Sequence, residues 1–476
     1  MDDKPKSCYT CVRRRINCDL AQPSCEKCIK KGLQCPGYGR RLRWADGVAV
    51  RGKLKGRRMP VSEQTTQAEP LDNLPGQPDA EDISIILHAP CPTAGASAAD
   101  FIDYYDKNLA GLMVWIDSKE NGYRRRVLPL AADTPGLRFA ITAFSAYHGL
   151  MNASPESQSF HEAARDACLE MVQKQLQDMN HRLNGGLGLG RRSDIANAEW
   201  MLACTLMIAS YEMAKNQAAA ADAHRQAART LVKVFGQEET CKRGLFAFLR
   251  NQLSIYDVLA STTSFDLTDV EEAILPTPDA EHVLFSEYLS FLHQITLYSR
   301  SNIDKNEPFG HGTERTRLTE SYIRSRFEQA RGQTLIAAGR LQIESRIRFD
   351  FIRLVDVYHH AAVLYSYRCL GYATMGNADW AASKLKLFEQ LAEIEDISLC
   401  VHNLPWPVFI AGTECHEDKE KQNMVIELLG KILNLTGFKH YADIGIFLTA
   451  FWNDPALDWR PLAQQFQENG LRIVLV

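Results

Sequence analysis

No apolar run in this 476-residue chain approaches the ~18 residues that cross a bilayer, so no membrane partner is expected. The opening residues MDDKPKS are polar and lack the apolar stretch of a secretory signal, so reduced thiols are expected rather than a disulfide scaffold. HExxH, GxSxG and paired-carboxylate signatures are all missing, and nothing else points to an enzyme. Gly185, Gly186, Gly188 and Gly190 follow a helical pattern instead of a strand, with no Walker lysine, and read as a surface loop. Repeats of about 34 or 40 residues are not evident, which argues against a solenoid. Between Met59 and Asp106 there is no Lys or Arg.

What is present is concentrated at one end. Cysteines fall at Cys8, Cys11, Cys18, Cys25, Cys28 and Cys35, as CYTCVRRRINC and CEKCIKKGLQC. Each of the first three recurs 17 residues later, so one C-x2-C-x6-C unit is written twice. Zinc takes four ligands in a tetrahedron and favours thiolate. Two ions need eight coordination positions, and six thiolates fill them only if two bridge both ions. The duplication suggests bridges at equivalent places in the two halves. Pro23 sets a tight turn before Cys25. Six thiolates and two divalent ions leave a formal charge of minus two. Arg13, Arg14, Arg15, Lys27, Lys30 and Lys31 are close enough in sequence to offset it.

This pattern, C-x2-C-x6-C-x6-C-x2-C-x6-C with Pro23 before the fourth cysteine, resembles the fungal Zn(2)-Cys(6) binuclear-cluster DNA-binding domain. The resemblance implies that Cys8 and Cys25 bridge, while Cys11, Cys18, Cys28 and Cys35 are terminal ligands. It also implies that the short helix after Cys11 enters the major groove at a CGG-like triplet, with Arg14 and Arg15 on the bases. Val12 and Asn17 depart from the basic residues common at those positions.

Charge is divided along the chain. Residues 1–60 hold 16 Lys/Arg against 5 Asp/Glu, and the rest hold 38 against 53. A basic head on an acidic body suggests a segregated nucleic-acid footprint. Arg40, Arg41, Arg43, Arg51, Lys53, Lys55, Arg57 and Arg58, with Tyr38 and Trp44 interleaved, read as a DNA-backbone arm and nuclear import signal. Alternating apolar residues from Leu42 to Val50 suggest a short strand within it. No sustained heptad follows Cys35, so monomeric binding and dimerisation through the C-terminal domain both stay open. Residues 61–98 are Pro-containing and acidic, a disordered linker in which Ile83–Leu87 forms an apolar island.

From about Ala99 the periodicity is helical. Stripes run through Phe101, Tyr104, Tyr105, Leu109, Leu112, Met113 and Trp115; through Ala164 to Met179; through Trp200 to Met213; and through Met424 to Ile432. Phe351, Val355, Tyr358, Ala362, Tyr365 and Cys369 step by 4, 3, 4, 3 and 4, with Gly371 a stop. FIDYYDKNLAGLMVW, VLPLAADTPGLRFAITAFSAYHG and LPWPVFIAGTEC resemble the fungal-specific transcription factor regulatory domain of the second type. Cys400, His402, Cys415 and His416 fit no zinc spacing and read as core and loop residues. Of His359 and His360, one is expected to be packed and the other exposed.

The expected protein is therefore mostly α. A small DNA-binding module of two zinc ions on six cysteines (1–40) and a basic arm (41–60) lead through a flexible linker (61–98) to a large all-α regulatory domain (99–476). The expected function is a nuclear, sequence-specific regulator of RNA polymerase II transcription. Arg13, Lys30, Lys31, Arg40, Arg41 and Arg43 would hold phosphates of double-stranded DNA. The body would contact the transcription machinery or form a homodimer. The alternative is a body that binds a small molecule and gates DNA binding.

Overall fold

The computed structural model describes residue 11 and residues 16–21, 25–31, 44–48, 58–60, 98–149, 155–186, 188–236, 239–277, 283–301, 318–341 and 345–476. Cys8, Cys35, Arg13, Arg14, Arg15, Arg40, Arg41, Arg43 and Ile83–Leu87 lie outside these residues.

Near the N-terminus stand the one-turn helix α1 (Glu26–Ile29) and a two-stranded antiparallel ribbon, β1 (Trp44–Val48) with β2 (Arg58–Pro60). Trp44 pairs with Pro60 and Val48 with Arg58, with an irregularity between the pairs. The strand expected at Leu42–Val50 is thus present over a narrower range.

The remainder is helical. It opens with α2 (Ala98–Tyr104), α3 (Leu128–Asp133), α4 (Pro135–Gly149), α5 (Pro155–Asn184), α6 (Arg192–Ala214), α7 (Ala218–Phe235), α8 (Gly244–Ser261) and α9 (Leu267–Glu271). It continues with α10 (Ser286–Ser301), α11 (Glu320–Gly339), α12 (Ser345–Leu370), α13 (Ala378–Glu393) and α14 (Pro405–Thr413). It ends with α15 (Lys419–Thr436), α16 (Ala442–Trp452) and α17 (Trp459–Glu468). The stripe from Phe101 to Trp115 does not form one α-helix. After α2 the chain passes into a π turn at Tyr105–Leu109 and a 3-10 turn at Ala110–Met113. Tyr105 and Leu109 are still brought into the core.

Two helices organise the core. α12 packs against α10, α11, α13 and α14, and its residues Phe351, Val355, Tyr358, Ala362, Tyr365 and Cys369 are all buried. Gly371, at φ +77°, ends it in a left-handed conformation that a side chain would resist. α14 is buried along all nine of its residues, as an apolar helix at the centre of a domain must be. Pro405 in its first turn withholds no needed N–H. Trp406 stacks on Tyr358 with ring centroids 5.6 Å apart and donates Nε1–H to Thr262 Oγ1 at 3.0 Å. Gly412 allows α14 to meet α16, since a Cβ there would lie 2.5 Å from Leu448 Cδ1.

A buried ion network joins α7, α8 and α9 to the C-terminal segment. Asp257 accepts from Arg225 Nη1 at 3.1 Å and Arg229 Nε at 2.7 Å. It also accepts from the Ile274 amide at 2.7 Å. Asp269 accepts from Arg225 Nη2 at 2.7 Å, Arg229 Nη1 at 2.8 Å and Arg472 Nη2 at 2.9 Å. Asp222 accepts from Arg225 Nη2 at 2.6 Å and Arg472 Nη1 at 2.8 Å. Three guanidinium groups thus meet three carboxylates, which is how charge is tolerated in an interior. Among the described residues no helix is long and apolar enough to cross a membrane.

Candidate zinc and DNA-binding module

The C-x2-C step at Cys25 and Cys28 builds one corner of a metal site from local geometry. Cys25 is the N-cap of α1, and Cys28 lies one turn later, so the Cys28 amide donates to Cys25 Sγ at 3.3 Å. Amides aimed at sulfur offset the charge of a metal-bound thiolate. Cys11 enters from the first half of the duplicated unit, with its Sγ 3.6 Å from Cys25 Sγ. Cys11, Cys25 and Cys28 are buried, and their sulfurs lie within 4.8 Å of one another. Cys18, Asp19 and Cys25 form a second group within the same limit, so Cys25 belongs to both.

These residues fit zinc. A tetrahedral site with Zn–S bonds of ~2.3 Å places ligand sulfurs about 3.8 Å apart. The 3.6 Å between Cys11 and Cys25 is close to that edge, and far from the ~2 Å of a disulfide.

Asp19 is a structural residue that the sequence reading missed. Its carboxylate accepts from the Glu26 amide at 3.2 Å, the Lys27 amide at 2.9 Å and the Ala21 amide at 3.2 Å. It thereby caps α1 and folds the spacer back onto it. Its oxygens are committed to amides, which makes it a poor candidate for a ligand. Lys27 Nζ donates to the Asn17 carbonyl at 2.6 Å, a second tie between the halves. Lys30 and Lys31 are exposed at the end of α1, as a phosphate-contacting role requires. Lys30 pairs with Glu26 at 2.9 Å, an exposed bridge that contributes little to stability.

In the body, the residues that could suggest a second metal site serve packing. Cys400 and Cys415 are buried, and burial pushes both thiols up to about 12. Cys415 Sγ donates to the Gly412 carbonyl at 3.4 Å. His402 Nε2 bonds the Val114 carbonyl, and His416 Nε2 bonds the Asp454 carbonyl at 2.7 Å. The glycine stretch turns the chain from α5 to α6, with Gly186 at φ +77°. There Asp194 accepts from the Gly190 and Arg191 amides at 3.3 and 3.1 Å and from Arg182. The expectation for His359 and His360 needs correcting. Neither is exposed: both rings are partly covered between α12 and its neighbours, and burial lowers both below the usual histidine range.

A buried cluster of cysteine sulfurs stands ahead of a large helical body. The comparisons give this arrangement its family. Residues 6–45 match the fungal Zn(2)-Cys(6) binuclear cluster domain, and residues 100–475 match the fungal specific transcription factor domain. The chain belongs to the fungal specific transcription factor domain family, whose members are transcription factors and not enzymes, and its cluster domain binds two zinc ions.

The chain is similar to acriflavine sensitivity control protein acr-2 of Neurospora crassa, 52% identical over 42 residues, 9% of this chain and 7% of that one. It is similar to arginine metabolism regulation protein II of Saccharomyces cerevisiae, 47% identical over 38 residues, 8% of this chain and 4% of that one. A third relative is the phomenoic acid biosynthesis cluster-specific transcriptional regulator of Leptosphaeria maculans, 39% identical over 46 residues and 9% of each chain. The matched segments thus span less than a tenth of these relatives' lengths. No solved structure matches the chain.

Proposed function

We propose that this chain is a nuclear, zinc-dependent regulator of RNA polymerase II transcription that reads double-stranded DNA at CGG-like triplets. Cys8, Cys11, Cys18, Cys25, Cys28 and Cys35 hold two zinc ions, with Cys8 and Cys25 bridging. Zinc supplies the folding energy of a module too small for an apolar core. Arg14 and Arg15 face guanine edges, where bidentate arginine contacts are common. Arg13, Lys30, Lys31, Arg40, Arg41 and Arg43 hold phosphates. The chain divides into cluster (1–40), basic arm (41–60), linker (61–98) and helical body (99–476). The body regulates, dimerises, or contacts the transcription machinery.

The observation that carries this reading is the sharing of Cys25 between two ligand groups, one with Cys11 and Cys28 and one with Cys18. The match of residues 6–45 to the fungal Zn(2)-Cys(6) binuclear cluster domain supports it. Titration of the full chain against duplexes with and without a CGG triplet tests it. With about 6 phosphates neutralised, affinity falls with salt at a log–log slope near −5. Arg15→Ala costs about 1–3 kcal/mol on the triplet and little on random duplex. A flat salt response, or equal losses on both duplexes, contradicts the reading.

A further inference from the structure

The strand β2 does not stand free of the helical body. It lies alongside α7, with Cα atoms of the two elements within 8 Å of one another. Residues 44–60, from the start of β1 to the end of β2, make up most of the basic arm. Arg51, Lys53, Lys55, Arg57 and Arg58 fall within them. One segment is thus both the arm read as gripping DNA phosphates and a neighbour of the body.

The outward face of α7 suits a strand. Leu231, Val232 and Phe235 turn into the core, and Arg225 and Arg229 into the ion network. Facing away from them, at four-residue steps that share one side of a helix, are Ala219, Ala223 and Ala227. A row of methyl groups is shallow and lets another backbone come close. Ala219, at one end of the row, is exposed, whereas Ala223, in its middle, is only 7% exposed. A strand laid along the row covers it in this way.

Charge favours the same seat. The arm is basic, and beyond residue 60 the chain carries 53 acidic against 38 basic residues. Asp266, Glu271 and Glu272, at the two ends of α9, are exposed. Lys233 of α7 reaches Glu272 at 3.3 Å, which brings this acidic edge beside the alanine row. Attraction between exposed charges is weak and screened by salt, so it holds the arm reversibly. We infer that the alanine face of α7 is a docking seat for the basic arm, and that the arm leaves it to bind DNA. A duplex gripped by a seated arm would lie against the acidic body, so seating and DNA binding compete. This rests on the reading of the arm as DNA-binding, and it gives the body a means of restraining the arm without touching the zinc cluster.

The test uses the full-length, zinc-loaded chain. Ala227→Arg puts bulk and positive charge on the seat, and Ala227→Gln adds bulk alone. Leu385→Arg adds the same charge on α13, at a residue 55% exposed. Trypsin cleavage after Lys53, Lys55, Arg57 and Arg58, resolved by mass spectrometry, reads the arm. Filter binding to a duplex without a CGG triplet reads affinity. With about nine arms in ten seated, each seat variant speeds cleavage and tightens binding by ~10-fold, and Leu385→Arg does neither. Circular dichroism checks that each variant keeps its helices, and Ala219→Arg, near the start of α7, stands in for a seat variant that does not. Equal cleavage in the wild type and the seat variants, or a freed arm with no gain in affinity, overturns the proposal. A freed arm on a chain that binds no duplex at all overturns the arm's DNA role, and the competition with it.

Discussion

Cys11 and Cys25 come from opposite halves of a duplicated unit, yet their sulfurs lie 3.6 Å apart. That contact closes the module around positions that metal, not an apolar core, can hold together. Cys25 Sγ also lies within 4.8 Å of Cys18 Sγ, so one sulfur belongs to both groups of candidate ligands.

Losing a shared ligand costs more metal than losing a terminal one. Cys25→Ser is expected to release about two zinc ions per chain and Cys28→Ser about one. Metal analysis after dialysis distinguishes them. Equal retention in the two variants contradicts a bridging Cys25.

The α14–α16 contact predicts a packing defect. Gly412→Ala drives a methyl into Leu448, which is itself fully buried. The cost is about 1–3 kcal/mol in chemical denaturation. Trimming the partner in Gly412→Ala/Leu448→Ala makes the two effects non-additive. Strict additivity would mean that the two residues do not meet.

Asp257 is the hub of the buried ion network, bonded to Arg225, Arg229 and the Ile274 amide. Asp257→Asn leaves two buried guanidinium groups with too little negative charge. The expected loss is about 3–5 kcal/mol. A denaturation midpoint that hardly moves would show that the network is not part of the folded body.

Acid should weaken the body through its histidines. Burial, with the nearby Lys215 ammonium, pushes His161 down to about 4 from 6.5. Its Nδ1 faces Tyr211 Oη at 2.8 Å. The unfolded chain binds this proton below about pH 6.5, while the folded chain refuses it until about pH 4. The contribution is therefore complete above the unfolded value and is lost as pH falls towards the folded one. His161 alone accounts for about 2 kcal/mol at about pH 5. His161→Gln should flatten that part of the profile in urea titrations run from neutral to mildly acidic buffer. An unchanged profile would place the proton elsewhere.

How much of this was legible depends on sequence distance. Cys25 and Cys28 form their corner within a single turn, so their spacing announces it. The 4-3 stepping through α12 was readable because one buried helix repeats its own period from Phe351 to Cys369. The switch to π and 3-10 turns after α2 preserves the same apolar spacing and leaves no periodic trace. Asp19 caps α1 from seven residues before Glu26, outside the local position where a cap is sought. Arg225 and Asp269 are 44 residues apart, and Asp222 and Arg472 are 250 apart. Such pairs become neighbours only once the helices have packed. The segment LPWPVFIAGTEC was recognisable as a pattern, but its cause, a helix buried on every side, needed the fold.

The central claim is that zinc builds the surface that reads DNA. Binding of the full chain to a CGG-bearing duplex, measured before chelation, after it and after zinc is restored, tests this directly. Preference for that duplex over a scrambled one should vanish with the metal and return with about two zinc ions per chain. A preference that survives complete removal of zinc would contradict the account.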